Sequence, residues 1–160
     1  NVIYIYAGGQ GWEITYKGVA PVLRRALSEY QNAASHSLDV ILKTWAADPN
    51  TLMLDQGQNN FDQAQVESIL FTTAAGDSAT VDFSLRTHLP LRVRWPRVDP
   101  DTGGHYEESV VYGNWSEVGG IQAAFSLDQF QGPQKLEQRF YTQLSFAAFP
   151  DSVFTPKPLK

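Results

Sequence analysis

The chain has 160 residues, no cysteine, and 12 basic against 17 acidic side chains, a formal net charge of -5. That length suits a single core, and the acidic balance argues against the basic footprint of a nucleic-acid binder. Lack of cysteine excludes disulfide frameworks, thiolate metal sites and cysteine nucleophiles. With 42% hydrophobic and 18% charged residues the chain is expected to fold, and no apolar run approaches the roughly 18–20 residues of a membrane helix.

The first element, Val2-Ile3-Tyr4-Ile5-Tyr6, is β-branched and aromatic throughout and reads as a strand. The chain opens directly on it with no targeting segment in view, so elements ahead of it are expected to be missing. After the turn signal Gly8-Gly9-Gln10-Gly11, Trp12, Ile14 and Tyr16 alternate with Glu13, Thr15 and Lys17 as a second half-buried strand. Gly18 and Pro21 break it, and Pro21 suits the first turn of a helix whose stripe is Leu23, Ala26, Leu27 and Tyr30. A second short helix follows Ser37 as N-cap, with Leu38, Ile41, Leu42 and Trp45 as its apolar stripe and Asp48-Pro49-Asn50 as its stop.

From Leu52 onward the period becomes two. Val81, Phe83 and Leu85 form one apolar set, Leu89, Leu91, Val93 and Trp95 another. Ile121, Ala123, Phe125 and Leu127 follow, then Phe140, Leu144 and Phe146. Turn signals separate them at Ala75-Gly76-Asp77, Asp101-Thr102-Gly103-Gly104, Gly119-Gly120 and Gln131-Gly132-Pro133. The pattern is an antiparallel meander with one apolar and one wet face. Two short helices must cover the apolar face completely or leave a groove.

Candidate chemistry is sparse. His36, His88 and His105 have no ligand partner at helical or strand spacing, and a structural or surface role fits them. Asp99-Pro100-Asp101-Thr102-Gly103-Gly104 has the opening spacing of a calcium loop, but Val110 stands where the bidentate Glu belongs, and a hairpin turn explains it. Glu107 and Glu108 point to opposite faces and do not form a glycosidase pair. Arg86, Arg92, Arg94 and Arg97 are expected to form cross-strand ion pairs with Asp99, Asp101, Glu107 and Glu108. Phosphate loops, dinucleotide fingerprints and nucleophile elbows are absent, so neither an enzyme nor a cofactor is expected. Trp12, Trp45 and Trp95 fall in phase with apolar sets and read as core or groove lining, ahead of an exposed sugar-stacking platform; Trp115 fits no set.

Four stretches carry a family resemblance. Tyr112-Gly113-Asn114-Trp115-Ser116-Glu117-Val118-Gly119-Gly120-Ile121 resembles the aromatic hairpin of the periplasmic lipoprotein carriers, the LolA/LolB-like family. Phe83 to Leu91 with its Leu89-Pro90 step, Phe149 to Pro156, and Gly11-Trp12-Glu13 resemble further parts of it. The resemblance implies a mainly β (α+β) fold: a curved antiparallel sheet, an unclosed half-barrel, with two short helices over its apolar face, as one domain spanning 1–160. It implies no catalytic residues, no metal and no cofactor. It also implies a location in the bacterial periplasm or secretion. The implied partners are a lipid or lipoprotein acyl chain and an envelope protein, with no nucleic acid and no transmembrane segment. The cavity lining expected from the apolar phase is Trp12, Trp45, Phe83, Leu85, Leu91, Phe125, Leu127, Phe140, Leu144 and Phe146. These residues would equally line an ordinary filled core. An interaction or sensing module of the same fold, and after it a carbohydrate-binding module, are the alternatives.

Overall fold

Hydrophobic alternation decides most of the architecture. The computed structural model describes residues 2–146 and 148–157, which form two compact units. One holds the described residues up to Ser35 together with those from Phe146 onward; the other runs from His36 to Ser145.

The first unit is a three-stranded antiparallel meander: β1 (Ile3–Ala7), β2 (Gln10–Thr15) and β3 (Gly18–Pro21), followed by α1 (Arg24–Ser35). Gly8 and Gly9, at φ +56° and +75°, make the left-handed two-residue turn that a tight hairpin needs. Gly11 is required for space: a Cβ there would stand 2.5 Å from Val22 and 2.8 Å from the Tyr6 ring. Tyr6 stacks on Tyr30 of α1 with ring centroids 3.9 Å apart. A 3-10 turn, Asp151–Phe154, lies against β1. Pro21 does not start the helix as expected. It ends β3, paired with Trp12, because an edge strand tolerates a residue without an N–H.

The second unit is a seven-stranded antiparallel sheet with strands in strict sequence order: β4 (Leu52–Phe61), β5 (Ala64–Thr72), β6 (Ser78–Ser84), β7 (Pro90–Val98), β8 (His105–Val118), β9 (Ile121–Gln131) and β10 (Gln134–Phe140). The curved sheet does not close into a barrel; β4 and β10 are its two edges. Before it comes α2 (Leu38–Val40), which widens into a π-helical turn, Ile41–Trp45. Ser37 has the extended geometry of an N-cap, but its hydroxyl donates to the Asp39 carboxylate (2.9 Å) instead of capping the backbone. Ile41 and Trp45 pack with Phe71, Ala79, Val81, Val93, Trp95 and Tyr112 into the core. His36 is buried there, stacked on Trp95 at 5.1 Å and edge-on to Trp45 at 5.3 Å, a structural histidine as expected.

The expected strand over Phe140 to Phe146 is not formed. The last strand is β10, which ends at Phe140, and the residues after it are irregular. β10 is exposed along its whole length and has only Leu136 ahead of Phe140, so no apolar stripe marks it. Among the described residues no helix is long and apolar enough to cross a membrane.

The opposite face of the sheet is polar yet buried around Asp82, which is 1% exposed. Its carboxylate accepts from the Ser68 hydroxyl (2.6 Å) and from Arg92 Nε (2.7 Å), with Arg94 Nε 3.8 Å away. Arg92 also lies over the Phe61 ring at 4.1 Å. Arg94 pairs with Glu107 and Arg97 with Glu108, as expected of the hairpin, whereas Arg92 takes Asp82. Asp99 accepts the backbone N–H groups of Asp101 and Thr102, so its side chain builds the turn.

Candidate functional site

A cleft of about 840 Å³ opens where the β4–β5 turn, the β6–β7 loop and the middle of β8 meet. Its volume lies within the range of small-molecule sites. Each wall has a local cause.

Asp62 and Gln63 both take left-handed backbone angles, φ +44° and +64°, the geometry of a tight two-residue hairpin, which sets Gln63, Ala64 and Gln65 at the rim. The β6–β7 loop is tied back on Ser84. The Ser84 hydroxyl accepts the N–H groups of Arg86 (3.3 Å) and Thr87 (3.2 Å), the Ser84 carbonyl accepts from His88 N–H (2.8 Å), and Ser84 N–H donates to Leu89 (2.9 Å). Leu85 N–H donates to Gln65 across the cleft wall (2.9 Å). These bonds hold Leu85 and Leu89 in the lining, with Leu91 following on β7.

The third wall depends on one unusual residue. Asn114 sits inside β8 at φ +52°, a left-handed angle that Asn accepts more readily than most residues. Tyr112 and Trp115 differ by an odd spacing, so regular alternation would separate them. Instead both pack against the core, their rings 6.3 Å apart, and their β9 partners Leu127 and Ala124 do so too. Beside this kink a Cβ on Gly113 would meet the Ser126 hydroxyl at 2.7 Å. This change of phase explains why Trp115 fits no apolar set in the sequence.

Among the described residues the lining divides into an apolar floor, Leu85, Leu89, Leu91, Tyr112 and Trp115, and a polar rim of Gln63, Gln65, Thr87 and Asn114 with Arg86 as its one charge. Among the described residues it holds no histidine and no carboxylate. Burial pushes the Tyr112 phenol up to about 12, against a hydrogen bond with the Leu38 backbone that lowers it; Tyr112 is therefore neutral and serves packing. The buried Trp115 indole N–H has no acceptor among the described residues.

Of the residues expected to line a cavity, Leu85 and Leu91 are in this cleft. Trp45 is in the filled core, and Phe83 and Leu127 are half-buried against it. Phe125 is half-buried on β9, Phe140 is 63% exposed at the end of β10, and Leu144 is half-buried beyond it. In the first unit, Trp12 is half-buried on β2 and Phe146 is 62% exposed. Leu89, Tyr112 and Trp115 were missing from the expected set. Leu89 had an apolar phase that could have flagged it; Trp115 had only its position beside Asn114.

Three solved structures share this architecture. A LolA superfamily protein from Nitrosomonas europaea superposes with a TM-score of 0.54 at 12% identity, covering 97% of this chain and 70% of its own. A DUF1329 family protein from Desulfovibrio piger gives 0.52 at 15% identity, over 91% of this chain and 62% of that one. A candidate outer membrane lipoprotein-sorting protein domain from Vibrio parahaemolyticus gives 0.50 at 14% identity, over 91% and 65%. The fold is LolA-like. The chain spans about two thirds of the length of these LolA-like structures. No family model and no curated protein matches the sequence. Two of the four stretches that carry the family resemblance, Phe83 to Leu91 and Tyr112 onward, supply two of the three walls of the cleft.

Proposed function

We propose that the protein is a non-enzymatic protein of the bacterial envelope, periplasmic or secreted, that holds the acyl chain of a lipid or lipidated protein in this cleft. The observation that carries the reading is the open Leu85, Leu89, Leu91 and Trp115 floor beside the packed core of the seven-stranded sheet. An acyl chain gains roughly 0.8 kcal/mol for each CH₂ it buries, so binding needs little polar recognition. The LolA-like fold and the lipoprotein-sorting description of one neighbour support the same reading. Native mass spectrometry after gentle extraction, followed by incubation with acyl lipids, tests it. Retained or acquired lipid-mass adducts are expected; a chain that never carries or takes up an acyl ligand contradicts the reading.

A second reading, a protein-interaction module, rests on β4. This edge strand exposes Leu52, Met53 and Leu54 and has Asp55 as its one charge, whereas β10 carries Lys135, Glu137 and Arg139. Charged side chains are a usual guard of open strand edges, and β4 largely lacks them. Saturable binding of an envelope protein, unchanged by added lipid and abolished by Met53→Lys, favours this reading over the first.

A further inference from the structure

Among the described residues, the arginines of β7 and β10 are paired: Arg92 with Asp82, Arg94 with Glu107, Arg97 with Glu108 and Arg139 with Glu137. Arg86 differs. Its backbone N–H is held by Ser84, but its guanidinium has no hydrogen bond or ion pair among the described residues, and it stands at the lip of the cleft. Around it the rim offers amide and hydroxyl groups from Gln63, Gln65 and Thr87 and, among the described residues, no carboxylate. On a chain of net charge -5, this is a local cationic point beside an apolar floor.

We infer that the cleft selects an amphiphile with an anionic oxygen head, the Arg86 guanidinium pairing with that head while the chain lies along Leu85, Leu89 and Trp115. The inference rests on the acyl-binding reading above and adds the chemistry of the head. A carboxylate or phosphate can accept two guanidinium N–H bonds at once, which a hydroxyl head cannot. The neighbouring apolar floor lowers the local dielectric and strengthens that pairing relative to open solvent. The loop is held by backbone bonds to Ser84, so the side chain of Arg86 is free to serve a ligand without supporting the fold.

Isothermal titration calorimetry with four ten-carbon probes below their micelle concentrations tests this: decanoate, decyl phosphate, decanol and decyltrimethylammonium. The unaltered chain is expected to prefer at least one of the two anions over decanol by about three- to tenfold. Arg86→Gln removes that preference and leaves decanol binding within about twofold, Arg86→Lys keeps part of it, and salt near 1 M shrinks it. The tighter of the two anions names the source, a free fatty acid for the carboxylate or a phospholipid-type head for the phosphate. Decanol binding as tightly as both anions, or a preference that survives in Arg86→Gln, overturns the head-group assignment while leaving the acyl reading in place. No binding of any probe overturns both.

Discussion

The apolar face of the seven-stranded sheet has a filled half and an open half, and β7 shows the change along one strand. Trp95 and Val93 lie under Ile41, Trp45 and His36, while Leu91, next in phase, lines the cleft; at the other end Arg97 closes the face by pairing with Glu108. The groove and the ordinary core that alternation leaves undivided are both present on this face of the sheet.

That contrast can be broken from either side. The largest expected effect is in the filled half, where Trp95→Ala should cost about 3–5 kcal/mol in chemical denaturation, since Trp95 is 2% exposed and bears the stacked His36. On the opposite face Asp82→Ala leaves Arg92 and the Ser68 hydroxyl without their partner and should cost about 2–3 kcal/mol by the same measurement. At the border between the halves, Tyr112 adds a pH dependence. Its phenol is raised to about 12 in the folded state from an ordinary 10.0, so its contribution is complete below pH 10 and is lost as pH rises toward 12. Alkaline denaturation should steepen in that window, and Tyr112→Phe should flatten it. The smallest effect on stability belongs to the open half. Leu89→Ala should change it by less than about 1 kcal/mol while weakening decyl-chain binding several-fold; a loss as large as that of Trp95→Ala would mean that the cleft is core.

The sequence made the architecture legible where one face is greasy. Val81, Val93 and Trp95 alternate cleanly because their outward neighbours Asp82 and Arg94 are polar, and Ile41 with Trp45 marks the helix that meets them. β10 escaped because both of its faces are exposed, which leaves no stripe to read. The site was less legible, for a different reason. Its walls come from a β-hairpin turn, a loop folded back on the Ser84 hydroxyl, and the left-handed Asn114; alternation marks Leu85 and Leu89 as apolar, but it does not show the turn, the fold-back or the kink that bring the walls together. Asn114 shifts Trp115 out of the phase that alternation assigns it, so the residue that fitted no apolar set lines the site.

Photolabelling with a diazirine-bearing decanoate, followed by peptide mapping of the labelled chain, tests most directly whether the open half is the acyl site. Label is expected to concentrate in residues 84–91 and 112–115, to be competed by unmodified decanoate and to be reduced in Leu89→Ala. Label confined to the β4 edge, or scattered without competition, would contradict an acyl site in the open half.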